Sequence, residues 1–84
     1  MSPVIHTTRQ LGTAIRDRRK AAGLTAVRTA ELARVSRRLL VELEGGKRPN
    51  IGFQALIRVL QVLGLDLQVS PRGLPGKKSQ GTRD

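Results

Sequence analysis

Apolar residues recur at three- and four-residue spacings from Thr8 to Gly64, the pattern of amphipathic helices. Thr8 offers an N-cap and Gly23 a left-handed stop, so a first helix is predicted over 9–22. Leu11, Ala14, Ile15 and Ala22 line one of its faces, while Arg9, Arg16 and Lys20 share another. Thr25 caps a short second helix over 26–33 that is predicted to bury Ala30, Leu32 and Ala33. After a tight turn at Arg34 and Val35, Ser36 caps a third helix that runs to Glu44 with Leu40 and Leu43 turned inward. Gly45, Gly46 and Pro49 break it. The fourth and most apolar helix covers 53–63, with Phe53, Leu56, Ile57, Leu60 and Leu63 as its core stripe and Gly64 as its end. LDLQV, residues 65–69, alternates with period two as a short strand does, and the chain offers no second strand to pair with it.

The two ends break this pattern. Residues 1–7 carry Pro3 and no periodicity, and are expected to form a flexible lead. Residues 70–84, SPRGLPGKKSQGTRD, hold two Pro, three Gly and almost nothing apolar, so burial cannot offset the entropy of ordering them and a disordered basic tail is expected. One domain, residues 8–69, lies between.

Composition narrows the function. In 84 residues, 16 Lys and Arg oppose 6 Asp and Glu, a net charge of +10 that calls for a polyanionic partner. The tail holds only four of the basic residues, so the charge belongs mainly to the folded part. With no Cys, disulfide scaffolds and thiolate zinc sites are excluded. His6 is the only His, set near the terminus where solvation accounts for it, and no paired carboxylates, metal-ligand spacing or nucleophile with its base is present. No enzymatic activity, metal or cofactor is therefore expected. No apolar run reaches the roughly 20 residues of a membrane span. Phe53 is the only aromatic residue, which argues against single-strand binders that stack bases on aromatic platforms. The remaining class is a small cytoplasmic, nucleoid-associated module that reads double-stranded nucleic acid.

Residues 25–44 have the length and punctuation of a helix-turn-helix unit: capped helix, turn, capped helix. The runs LGTAIRDRRKAAGLT, AELARVSRRLLVELEGGKR and ALIRVLQVLGLDLQV resemble the Xre/Cro-like repressor family, over about 11–69. Within it the chain is most similar to HipB-type antitoxins, whose partner is a HipA-type kinase toxin; the strand LDLQV directly after the LGL helix end carries that finer likeness. The resemblance implies an all-α, lambda-repressor-like bundle of four to five helices, with a short C-terminal β-strand pairing across a homodimer through Leu65, Leu67 and Val69. It also implies a palindromic DNA operator, with half-sites near 34–36 Å apart. Three positions depart from the family: Ala26 where Gln clamps a phosphate, Thr29 where an aliphatic residue fills the core, and Arg34 where Gly takes the turn. The Thr29 hydroxyl can bond back to the Thr25 carbonyl. A positive φ at Arg34 would cost about 1 kcal/mol.

A recognition helix lays its N-terminal end in the major groove. The exposed positions there are Ser36, Arg37, Arg38, Val41 and Glu42, the candidate base readers. Arg37 and Arg38 can each meet guanine O6 and N7, Val41 a thymine methyl, and Glu42 either cytosine N4 or the Arg38 guanidinium four residues back. Leu39 can pack at the helix edge or add an apolar groove contact. Thr25 with the helix N-terminus behind it, Arg16, Lys20, Lys47 and Arg48 are candidates for the DNA backbone. The resemblance makes Arg19 and Glu44 a partly buried structural ion pair rather than a DNA contact. On this reading the protein is a sequence-specific repressor and the antitoxin of a two-gene system. The competing readings are a solitary phage or chromosomal regulator, separable by a neighbouring kinase-like reading frame, and a non-specific architectural or membrane-surface basic protein, separable by salt titration against matched and scrambled duplexes.

Overall fold

The structure, a computed structural model, describes residues 4–71. Among them are four helices: α1 (Thr8–Ala21), α2 (Ala26–Ala33), α3 (Arg37–Glu44) and α4 (Phe53–Val62). α1 packs on α3, and α2 packs on both α3 and α4. The all-helical bundle is the one the sequence predicts.

Local chemistry sets the boundaries. α1 starts one residue earlier than predicted, because Thr7 and not Thr8 is its N-cap. The Thr7 hydroxyl accepts from Gln10 N at 3.0 Å, and the Gln10 side chain accepts from Thr7 N at 3.1 Å and from His6 N at 2.6 Å. This T-x-x-Q capping box ties the end of the expected flexible lead to the first turn. Thr25 and Ser36 cap α2 and α3 in the same way, accepting from Arg28 N and Leu39 N at 3.0 Å each. Arg34 ends α2 at φ 59° and ψ 42°, left-handed geometry that a Gly would adopt without steric cost. Gly23, Gly46 and Gly64 take the other positive-φ positions among the described residues.

Ile15, Ala30, Ala33, Leu40, Leu43, Val59, Leu60 and Leu63 form the buried core. Three expected core positions are corrected. Leu32 is 45% exposed, since Thr29, Ala30 and Ala33 define the inner face of α2 and Leu32 stands about 110° from its centre. Phe53 is 66% exposed: it opens α4, and burial increases along that helix from half-buried Leu56 and Ile57 to buried Val59, Leu60 and Leu63. Ala22 is the exposed C-cap of α1 rather than part of its apolar face.

The bond back from Thr29 to Thr25 is not made by the side chain. The Thr29 backbone N–H reaches the Thr25 carbonyl at 3.0 Å as any helix residue does, and its buried hydroxyl has no hydrogen-bond partner among the described residues. Residues 65–69 form no strand ladder among the described residues. Leu65 N donates to the Leu60 carbonyl at 2.8 Å, and beyond it Leu67 and Val69 are 49% and 95% exposed. The expectation of a disordered tail falls, past residue 71, outside the described residues.

Candidate nucleic-acid interface

The placement of α3 begins at Gly12. A Cβ there would lie 2.6 Å from the Glu44 carbonyl oxygen and closer still to that of Leu43, so α1 and α3 cross backbone to backbone. Just beyond that crossing, Arg19 donates Nε to Glu44 Oε2 at 2.6 Å and Nη2 to Oε1 at 3.0 Å, while Nη1 reaches the Leu24 carbonyl at 2.8 Å. Both side chains are about nine-tenths buried, at 11% and 8% exposure. The hydrogen bond that the Arg19 guanidinium donates to Glu44 raises its pKa, with burial opposing and the charge of Glu44 assisting. Three of the five guanidinium donors are thus satisfied in a fixed fork, which locks the end of α3 to α1.

Two further arginines hold helix ends. Arg58 Nε donates to the Ala33 carbonyl at 2.9 Å, closing the end of α2 at the helix-turn-helix turn. Arg18 Nε donates to the Leu63 carbonyl at 2.8 Å. A cation at a helix C-terminus satisfies an orphan carbonyl and opposes the negative end of the dipole. Sequence reading missed both, because their acceptors lie 25 and 45 residues away. The loop after α3 is also pinned. Thr8 Oγ1 donates to the Gly46 carbonyl at 3.3 Å, and a Cβ on Gly46 would approach Arg9 Cα at 2.8 Å. The turn carrying Lys47 and Arg48 is therefore held on the start of α1.

The outer face of α3 carries the candidate base readers. Arg37 and Arg38 stand exposed in its first turn, and Val41 is 50% exposed one turn on. Leu39 is half-buried. The Ser36 hydroxyl is engaged as the N-cap, with its own proton left to donate. Glu42 Oε2 accepts from Arg38 Nε at 3.1 Å, and Glu42 Oε1 accepts from Arg48 Nη1 at 3.0 Å. Arg37 and Lys47 make no ion pair among the described residues, and both are exposed.

The candidate backbone contacts divide. Lys47 and Arg48 follow directly on α3. The Thr25 hydroxyl oxygen accepts from Arg28 N and keeps its own proton to donate, so the donors left at the start of α2 are that hydroxyl and the first-turn N–H groups of Ala26 and Val27. Arg16 and Lys20 lie exposed on α1, and no hydrogen bond or ion pair among the described residues joins them to the α3 face. No cluster of metal-binding side chains occurs among the described residues, and no helix among them is long and apolar enough to cross a membrane.

Residues 10–71 match the family described as a helix-turn-helix domain. Among solved structures, the chain is similar to the clp gene regulator ClgR from C. glutamicum, with 33% identity and a TM-score of 0.68 over 80% of this chain and 85% of that one. It is also similar to a chain of the HipA-HipB-O2-O3 complex, with a TM-score of 0.74 and 20% identity over 86% of this chain and 100% of that one. The same figures hold for the MDT Protein: TM-score 0.74, identity 20%, coverage 86% and 100%. At 20% identity these last two likenesses show the fold alone. No curated protein sequence matches the chain.

Proposed function

Because the chain belongs to the helix-turn-helix domain family and so is a DNA-binding regulator, we propose that it is a sequence-specific repressor that reads a palindromic operator as a homodimer and serves as the antitoxin of a kinase toxin. One observation supports base reading above all. Arg37 and Arg38 are presented side by side at the capped N-terminus of a helix whose other end is fixed by the buried Arg19–Glu44 pair. A guanidinium held on a rigid element loses less freedom on docking, and its donor fork matches guanine O6 and N7. Lys47 and Arg48 extend this charged surface to the sugar-phosphate backbone, and Thr25 with the N–H groups behind it offers a second phosphate contact.

Homodimer formation draws on segment 65–69, which has apolar side chains and backbone groups without a ladder partner among the described residues. Pairing with the same segment of a second copy would cover Leu65, Leu67 and Val69. The antitoxin reading draws on the likeness to a chain of the HipA-HipB complex. A second reading, a solitary chromosomal regulator, draws on the higher identity to the clp gene regulator. Co-expression with any kinase-like product of the adjacent gene separates them: a stable complex supports the antitoxin, and no complex supports the solitary regulator. The action proposed for either places the protein in the bacterial cytoplasm, on the nucleoid.

DNA reading itself is tested by selecting duplexes from a randomised pool, then titrating salt against the selected and a scrambled duplex. A preference that survives at 0.2 M salt supports sequence reading. Equal affinities, lost in parallel as salt rises, would reduce the protein to non-specific charge.

A further inference from the structure

A carboxylate on the surface of a helix meant to face phosphates works against binding unless something offsets its charge. Glu42 is such a group, and it is only 28% exposed, held between two guanidiniums from different parts of the chain. Its Oε2 takes Arg38 Nε at 3.1 Å from one turn back on α3. Its Oε1 takes Arg48 Nη1 at 3.0 Å from the loop beyond the helix. Both oxygens are thus occupied by charge-assisted hydrogen bonds, and the trio keeps a net charge of +1.

We propose that Glu42 is a positioning residue that couples base reading to backbone clamping, aiming Arg38 at a guanine while it holds Arg48 towards a phosphate. The inference rests on the DNA-reading function proposed above. The geometry of the guanidinium carries it. Arg38 offers two bidentate edges, one through Nε and one through its two terminal nitrogens; Glu42 takes the first and leaves the second, facing outward on a side chain that is 86% exposed. An unrestrained arginine must give up most of its rotamer freedom to make that contact. Restraint from a neighbour four residues along the same helix lowers the loss, and the pair strengthens once DNA displaces the surrounding water. With one arginine already on each carboxylate oxygen, the other role open to Glu42, acceptance from cytosine N4, would have to use a remaining lone pair.

The test compares wild type with Glu42→Gln, Arg38→Ala, the double variant and Arg48→Ala, each first checked for an unchanged thermal melt. Each is bound to duplexes selected by the wild-type protein and to every single-base-pair variant of them. Glu42→Gln is expected to weaken discrimination at one base pair by about fivefold, at the same base pair that Arg38→Ala affects, and to add nothing in the Arg38→Ala background. With a negative charge removed, affinity for scrambled duplex is expected to rise about two- to threefold at low salt. Arg48→Ala is expected to weaken all duplexes alike. A Glu42→Gln effect at a base pair that Arg38→Ala leaves untouched would make Glu42 a base reader and overturn the proposal, and so would unchanged discrimination at every position. A wild-type protein that selects no sequence fails one step earlier and removes the parent function, a result distinct from either of these.

Discussion

At the scale of single residues, Thr29 and Arg34 are the positions where the chain works against its own fold. Thr29 is fully buried in α2 and its hydroxyl finds no partner among the described residues, so a polar group has been taken out of water without compensation. Valine has nearly the same shape without that group. Thr29→Val is therefore expected to stabilise the protein by about 1–2 kcal/mol, seen as a higher midpoint in chemical denaturation; a lower midpoint would show that the hydroxyl is satisfied in solution. Arg34 carries the left-handed backbone of the helix-turn-helix turn. The resemblance to the Xre/Cro-like family showed where both irregularities stand, because each replaces the residue type common at that position in the family. It did not show the outcome at Thr29, whose hydroxyl makes no hydrogen bond among the described residues although the Thr25 carbonyl, which accepts from the Thr29 backbone N–H, has a second lone pair.

At the scale of elements, α2 and α3 are legible to the residue. Their caps, Thr25 and Ser36, act within three positions of themselves, and short-range chemistry can be read directly from order along the chain. The start of α1 was misplaced by one residue because two threonines stand together and only Thr7 has Gln three positions on. What decides the mutual placement of helices is long-range and was not legible: the close approach at Gly12, and the arginines that reach carbonyls on other helices. The Arg19–Glu44 pair was legible only through resemblance to relatives. With both partners about nine-tenths buried, Glu44→Ala leaves an uncompensated guanidinium and is expected to cost about 3–5 kcal/mol in a denaturation experiment. Replacing both partners, Arg19→Met with Glu44→Leu, is expected to cost much less. Equal losses for the two variants would mean that the residues act through packing and not through their charges. The raised pKa of Arg19 means that its side of the pair stabilises the fold at all lower pH and is lost only as pH rises through that value, in strong alkali.

At the scale of the whole molecule, a bundle with so small a core presents one strongly basic surface and one unfinished edge. The cationic face gathers the leading arginines of α3 with the loop that follows, and α1 holds both in place. The edge is segment 65–69, whose period-two pattern was plain in the sequence, although a strand cannot exist as such without a neighbour. Leu67→Asp is expected to leave the helical content unchanged and to yield a monomer by light scattering, with much weaker binding to a two-half-site duplex. A dimer of unaltered size would remove this segment from the interface. The central claim, that α3 reads bases through Arg37 and Arg38, has a more direct test. The ratio of affinities for a selected duplex and a scrambled one is measured for wild type and for the Arg37→Ala/Arg38→Ala variant at a single salt concentration. The account predicts that the ratio falls by at least about tenfold while the protein stays folded; a ratio equal to that of wild type would contradict it.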